Sequence, residues 1–291
     1  MSVWRSEDGR PRLVWRLALF ALILALALSP LTLVRPQWLQ LALAVCVFTA
    51  VLALWSRLIE KRSLSYFGLE VSARFFGECA LGFGIGVCAV GAVFASLLMW
   101  GGTAQTSWHP ETLTRSSQAA IGAFAIRMVM VGYWEETLFR GFLFRQFSES
   151  PAGPAQLSFR TKLAVALTSV LFGLAHAWTD SFSWAAFALL SVNGAGFAVP
   201  MLMTGRLGMS IGLHAAWNFA QSSIFGLPMS GNASSVSLLS ITHEAPDWWS
   251  GGSYGPEAGL AGLLGTALMA ILAWVACRTS ERVKPQPEER M

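Results

Sequence analysis

The chain has 291 residues, of which 54% are hydrophobic and only 12% charged, about half the charge of an ordinary soluble domain. Its apolar residues would fill about seven or eight membrane spans of some 20 residues each, leaving too little polar sequence to coat a soluble globule. A soluble enzyme, a disordered chain and a disulfide-stapled module are excluded, and so is a β-barrel, because apolar residues run together instead of alternating with polar ones.

In chain order the apolar runs predict eight helical spans near 13–34, 37–56, 75–100, 119–143, 162–179, 184–204, 208–226 and 258–277. The expected fold class is therefore all-α: a polytopic membrane bundle of about eight transmembrane helices with a polar site inside it. Basic residues cluster between spans two and three (Arg57, Lys61, Arg62, Arg74), between four and five (Arg145, Arg160, Lys162), between six and seven (Arg206) and after eight. The alternate loops are nearly free of them, so the positive-inside rule puts both termini on the cytoplasmic side. An integral protein of a bacterial plasma membrane is the expected setting. Residues 1–118 form the first three helices and an exterior loop, 119–226 the core, 227–257 a second exterior loop, and 258–291 the last helix with a tail that reads as disordered. Both exterior loops read as irregular, with Trp108, Trp248 and Trp249 as interface anchors.

The formal charge of +4 does not point to nucleic acid, because no Lys/Arg stripe interleaved with aromatics exists. Cys46, Cys79, Cys88 and Cys277 all lie in apolar runs without metal or redox spacing, and read as packing.

Charged residues at mid-helix cost about 2.5–3.5 kcal/mol on insertion scales and mark function by default. They concentrate between residues 127 and 218: Arg127, Glu135, Glu136 and Arg140 on span four, His176 on five, Asn193 on six, and His214 and Asn218 on seven. Glu136 and Arg140 are four apart, with the acid first, the favourable order for a helical ion pair. Glu135 points about 100° away from Glu136. The two acids should therefore serve different partners, Glu136 pairing with Arg140 and Glu135 facing a cavity without a local cation. His214 and Asn218 share one helix face and could donate two hydrogen bonds to a developing oxyanion. They could equally be bridges between helices.

A carboxylate base, an imidazole and two oxyanion donors are what peptide hydrolysis by an activated water needs. The same Glu135, His176 and His214 could instead hold Zn2+ with an open fourth position. No His-Glu-x-x-His or Gly-x-Ser-x-Gly is present, and the sequence alone leaves both metal-free and Zn2+ mechanisms open. One geometric condition follows from the spans. Glu135 and His214 fall in the cytoplasmic third, whereas His176 lies about 15–20 Å from that edge at 1.5 Å per residue. They meet only if span five starts later, tilts, or leaves residues 155–165 at the interface.

Three segments, Glu135-Glu136 to Arg140, Phe172 to His176, and His214 to Asn218, occur in the order Glu-Glu-x-x-x-Arg, Phe-x-x-x-His, His-x-x-x-Asn. The chain in this region resembles the CAAX prenyl endopeptidase and bacteriocin-processing family of intramembrane proteases, and the turn Thr204-Gly205-Arg206-Leu207-Gly208 is similar too. The resemblance spans roughly residues 120–222. It implies an eight-helix endopeptidase in which Glu135 is the base, His176 helps orient the water, and His214 and Asn218 stabilise the oxyanion. Glu136 and Arg140 would support them. It also implies two partners, the lipid bilayer and a membrane-anchored or hydrophobic peptide substrate. Members are often called metalloproteases, and a metal-free glutamate mechanism has also been argued. A non-enzymatic transporter or bacteriocin-immunity protein using the same polar cavity is the rival reading.

Overall fold

The computed structural model describes residues 10–100, 105–109, 114–148, 158–179, 181–233 and 236–282. The helices are α1 (Leu13–Leu28), α2 (Gln37–Trp55), α3 (Ala73–Met99), α4 (Arg115–Glu136), α5 (Phe144–Ser148), α6 (Phe159–Ala175), α7 (Trp184–Thr204), α8 (Gly208–Phe219), α9 (Asp247–Ser250) and α10 (Leu260–Arg282). The protein is an all-α integral membrane protein. Among the described residues five segments, Leu13–Leu33, Gln37–Glu60, Ala73–Met99, Trp184–Thr204 and Leu260–Ser280, are long and apolar enough to cross a membrane. The remaining rods, α4–α5, α6 and α8, carry the polar residues singled out in the sequence except Asn193, which lies on α7.

Short polar residues start several helices where a cap is needed. Ser72, Ser158 and Ser183 accept from the backbone N–H of Phe75, Thr161 and Ala186 at 3.3, 3.2 and 3.0 Å, which satisfies one orphan donor each. Gly205, at φ 72°, closes α7, a left-handed cap that side chains other than glycine disfavour. The next turn is pinned where the Leu207 N–H donates to the Gly68 carbonyl at 3.0 Å.

The bundle is built around α8, whose residues 208–217 are all buried. It packs against α3, α4 and α7. Glycine makes the α3 contact close: a Cβ on Gly86 would lie 2.7 Å from the Ala216 Cβ and 2.8 Å from the Leu213 carbonyl. Gly82 and Gly86, four residues apart on α3, thus share the face that meets α8, as small-residue packing allows. α8 is only 12 residues long, and protein rather than lipid encloses its residues 208–217.

Several boundaries differ from the sequence reading. Span four does not stop at residue 143. α4 passes through a π-helical turn, Thr137–Leu143, into α5 and ends at Ser148. The wide turn accommodates Gly141 against the Phe67 carbonyl, which would be 3.0 Å from an added Cβ. α6 starts at Phe159, earlier than expected, and α10 continues to Arg282, so only residues 283–291 of the expected disordered tail remain, outside the described residues. The two exterior loops are not wholly irregular. Gln105–Trp108 (β1) and Leu239–Thr242 (β2) pair antiparallel, Thr106 opposite Ile241 and Ser107 opposite Ser240. Their Thr, Ile and Trp content suits a half-exposed ribbon. Trp249 stacks on Trp100 with ring centroids 5.0 Å apart, so it packs internally while Trp108 and Trp248 are exposed.

The β1–β2 ribbon marks one end of the bundle. At the opposite end Glu60 is buried and accepts hydrogen bonds from Arg10 (3.1 Å), Arg16 (3.4 Å), the Trp55 indole (3.2 Å) and Gln146 (2.8 Å). This cluster ties the start of α1, the end of α2 and the end of α5 together. Asn193, one of the sequence's polar exceptions, donates to Thr266 at 3.0 Å and joins α7 to α10.

Candidate active site

The polar centre forms where α8 crosses the end of α4. A Cβ on Gly132 would lie 3.0 Å from the Ile211 carbonyl, 3.2 Å from the Ala215 nitrogen and 3.5 Å from the His214 Cβ. Glycine at this position lets α8 approach until His214 reaches the next turn of α4, where Glu135 and Glu136 stand.

The imidazole fills the space between the two acids. His214 Nδ1 is 2.7 Å from Glu136 Oε1, and its Nε2 is 3.7 Å from Glu135 Oε2. Both carboxylates therefore address one ring. The expectation that two acids 100° apart must serve different partners is corrected, because an imidazole presents nitrogens on two sides. Nor is Glu135 without a neighbouring base or cation, since His214 is there.

Glu136 also holds Arg140, whose Nη1 donates to the same Oε1 at 2.9 Å, with side-chain exposures of 1% and 0%. The second guanidinium nitrogen donates to the Gly194 carbonyl at 2.7 Å. Three rings surround the guanidinium, Phe172 at 4.4 Å, Phe197 at 5.7 Å and Phe139 at 5.8 Å, a setting that favours a desolvated arginine over a lysine. Gly194 is a site residue the sequence reading passed over. A Cβ there would come 3.0 Å from Arg140 Nη2 and 3.2 Å from Phe172 Cδ1.

Glu136 Oε1 accepts from Arg140 and from His214, which places the ring proton on Nδ1. The lone pair of the neutral ring then sits on Nε2, facing Glu135. Phe197 stacks flat on the imidazole at 4.7 Å and 7° and fixes the ring plane. Glu135 Oε2 and Glu136 Oε2 have no hydrogen-bond partner among the described residues.

His176 and Asn218 occupy the margins of this centre. His176 caps the C-terminus of α6, half-buried, and its Nδ1 donates to the Phe172 carbonyl at 2.9 Å. Phe172 separates the two histidines, its ring 4.9 Å from His176 and 5.8 Å from His214. The depth condition is met differently from expectation. Because α4 runs on to Ser148, Glu135 lies thirteen residues from that end, about 20 Å at 1.5 Å per residue. Asn218 lies one turn beyond His214 on α8, half-buried, with no side-chain hydrogen bond among the described residues.

The candidate zinc set does not assemble. Glu135 and His214 meet, whereas His176 is turned to Phe172, and no three His, Cys, Asp or Glu side chains among the described residues are arranged to hold a metal ion.

A second buried network was not foreseen in the sequence. Glu257, at the end of the expected exterior loop 227–257, is 4% exposed. It accepts from the Ser230 N–H at 2.9 Å, from the Ser230 hydroxyl at 3.1 Å, and from Gln221 at the end of α8. Burial raises its pKa above the usual carboxylate range, against the lowering effect of those donors. Nearby, the Thr179 hydroxyl donates to the His176 carbonyl at 2.7 Å and lies 3.2 Å from the Tyr254 hydroxyl. The ribbon end of the bundle thus braces the His176 end of α6.

Residues 117–220 match the family model described as Type II CAAX prenyl endopeptidase Rce1-like. No curated protein and no solved structure matches the chain. The matched segment begins two residues into α4 and ends just past α8, so it contains both acids, Arg140, both histidines and Asn218. Over residues 117–220 the chain is similar to the type II CAAX prenyl endopeptidase Rce1-like family.

Proposed function

We propose that the protein is an intramembrane endopeptidase that hydrolyses a peptide bond of a membrane-anchored or hydrophobic peptide by water activated between Glu135 and His214. The observation that carries this reading is the placement of His214 between the two acids, Nδ1 on Glu136 and Nε2 toward Glu135. The family match supports it at the level of a CAAX-type intramembrane endopeptidase.

In this mechanism Glu136 is the orienting acid. Paired with Arg140, it fixes the His214 tautomer so that Nε2 and Glu135 offer two acceptors to one water. The water oxygen attacks the scissile carbonyl carbon as its proton passes to Glu135. The carbonyl oxygen gains the electron pair, and the Asn218 side-chain amide donates to it. Collapse breaks the C–N bond, and the proton held by Glu135 goes to the leaving amine. His176, with Nδ1–H spent on Phe172, keeps its Nε2 lone pair for orienting water or substrate. The donor set does not fit a three-ligand zinc site, and no step is routed through a metal.

The described chain begins and ends at the Glu60 end of the bundle, which supports placing both termini on one side. The basic loops assign that side to the cytoplasm.

The test is cleavage in liposomes of a farnesylated CAAX peptide and of an unprenylated hydrophobic peptide, read by product mass. Wild type should cut one or both, and Glu135→Gln should leave them intact. Intact peptides with folded wild type would overturn the reading in favour of a transporter or immunity protein that uses the cavity for binding, and unimpaired cleavage by Glu135→Gln would overturn the role of Glu135 as the base.

A further inference from the structure

A lipid-facing groove lies between α1, α2 and α4, away from the imidazole. Its wider part, about 720 Å³, is lined by Thr32, Gln37, Gln40, Trp38 and Arg127 among others. Its narrower part, about 250 Å³, is lined only by apolar side chains, including Leu24, Phe48, Trp134 and Leu138. Leu28, Leu41 and Ala44 border both parts, so the two are continuous.

Arg127 lies twelve residues past Arg115 at the start of α4, a distance of about 18 Å at 1.5 Å per residue. By count alone that is mid-bilayer, as the sequence reading had it. Yet Arg127 shares its cavity with Thr32, Gln37 and Trp38, at the turn where α1 passes into α2. The first turns of α4 therefore stand beyond that turn, and Arg127 lies at the level where α1 and α2 leave the membrane. Trp38, 65% exposed, marks the same level as an interfacial tryptophan does. Arg127 is exposed, with no hydrogen bond or ion pair among the described residues.

A cation at headgroup depth opening into a carbon-lined slot fits an amphiphile with an anionic head. A peptide does not fit, because its backbone N–H and C=O groups would find no partners in the narrow part. An acyl chain has none to satisfy. We propose that this groove binds one anionic phospholipid, its phosphate paired with Arg127 and one acyl chain lying between α1, α2 and α4.

The test uses the purified full chain in mild detergent, incubated with equimolar dioleoyl phosphatidylglycerol and dioleoyl phosphatidylcholine, with retained lipid counted by native mass spectrometry. Wild type should retain phosphatidylglycerol over phosphatidylcholine by about fivefold or more, the factor one arginine supplies near an anionic surface. Arg127→Gln should bring the ratio to about one, Arg127→Lys should keep it, and Ala44→Phe should lower retention of both lipids. Equal retention by wild type, or a preference that survives Arg127→Gln, would overturn the proposal. So would displacement of the lipid by glycerol 3-phosphate, which would assign the seat to a soluble phosphate, or by a hydrophobic peptide.

Discussion

His214 donates Nδ1–H to Glu136 across 2.7 Å and turns Nε2 to Glu135 across 3.7 Å, so neighbouring acids on one helix take opposite sides of a single ring. The chemistry of the two carboxylates divides accordingly. Glu136 shares one oxygen between Arg140 and His214 and is fully enclosed. Glu135 has the looser contact and an oxygen without a hydrogen-bond partner among the described residues.

That division gives the first expected outcome. Glu136→Gln or Arg140→Ala leaves a buried charge unpaired, at about 3–5 kcal/mol, and should lower folded yield and melting temperature as well as cleavage. Glu135→Gln removes a weakly held buried charge and should keep the melting temperature, while turnover falls by about 10²-fold or more for a lost base. Melting temperature beside turnover for each variant decides it. A folded, inactive Glu136→Gln together with an active Glu135→Gln would exchange the two roles.

Gly132 sets the spacing of the centre and offers a probe of position without chemistry. Gly132→Ala gains about 0.5–1 kcal/mol in helix propensity, and overpacking against α8 returns about 1–3 kcal/mol. Net stability should change little. The added methyl meets the Ile211 carbonyl at 3.0 Å, so α8 must shift by a few tenths of an ångström. Since a misplacement of about 1 Å can cost 10²-fold, turnover should drop by roughly tenfold at nearly constant melting temperature. Unchanged turnover with a lowered melting temperature would make Gly132 a packing residue only.

Much of this centre was legible in the sequence, because i,i+4 spacing fixes which side chains share a helix face. Glu136 with Arg140 follows from that spacing alone. Gly82 with Gly86 likewise marks the face that meets α8. What spacing cannot supply is the partner arriving from another helix. A separation of 100° between Glu135 and Glu136 was taken to divide their partners, and it fails because a two-sided imidazole enters between them at Gly132. Hydropathy misread the end of span four for a related reason. Arg140 and Arg145 look like the edge of a membrane run, yet both are buried, one among phenylalanines and the other over the Tyr66 ring at 5.0 Å. Glu257 escaped because a lone acid in a Ser/Gly-rich loop carries no local sign that Gln221 and Ser230 will close over it.

Glu60 should behave as a structural counterpart to the catalytic acids. It is 3% exposed and gathers Arg10, Arg16, Trp55 and Gln146 onto one carboxylate. Glu60→Ala removes the carboxylate that the buried Arg16 guanidinium meets, and loss of one member of a buried pair costs about 3–5 kcal/mol. Folded yield should fall as for Glu136→Gln, but the fraction that folds should turn over substrate at the wild-type rate, because the cluster lies at the end of the bundle away from the ribbon and does not touch His214. Active-site-normalised kinetics make the comparison. A turnover loss in the folded fraction would show that the α1 start and α5 end control the centre.

Glu257 links stability to pH with a definite sign. Burial raises its folded pKa above the ordinary range, and the unfolded chain titrates near the reference Glu value of about 4.3. Between those two values the native state holds a proton that the unfolded state has lost, so the native state binds more protons and unfolding free energy declines as pH rises. The stabilisation is complete below the unfolded value and is lost as pH climbs through the raised folded value. Tyr254 is pushed upward as well, chiefly by burial and in part by Glu257 itself, and its titration lies above this window. Glu257→Gln preserves the shape and keeps oxygen to accept from Ser230, so it should abolish the decline and raise the melting temperature at the alkaline side of the window. Thermal melts of wild type and Glu257→Gln across that range provide the check. Parallel curves, or a wild type that gains stability as pH rises, would show that the donors from Gln221 and Ser230 outweigh burial and keep Glu257 charged.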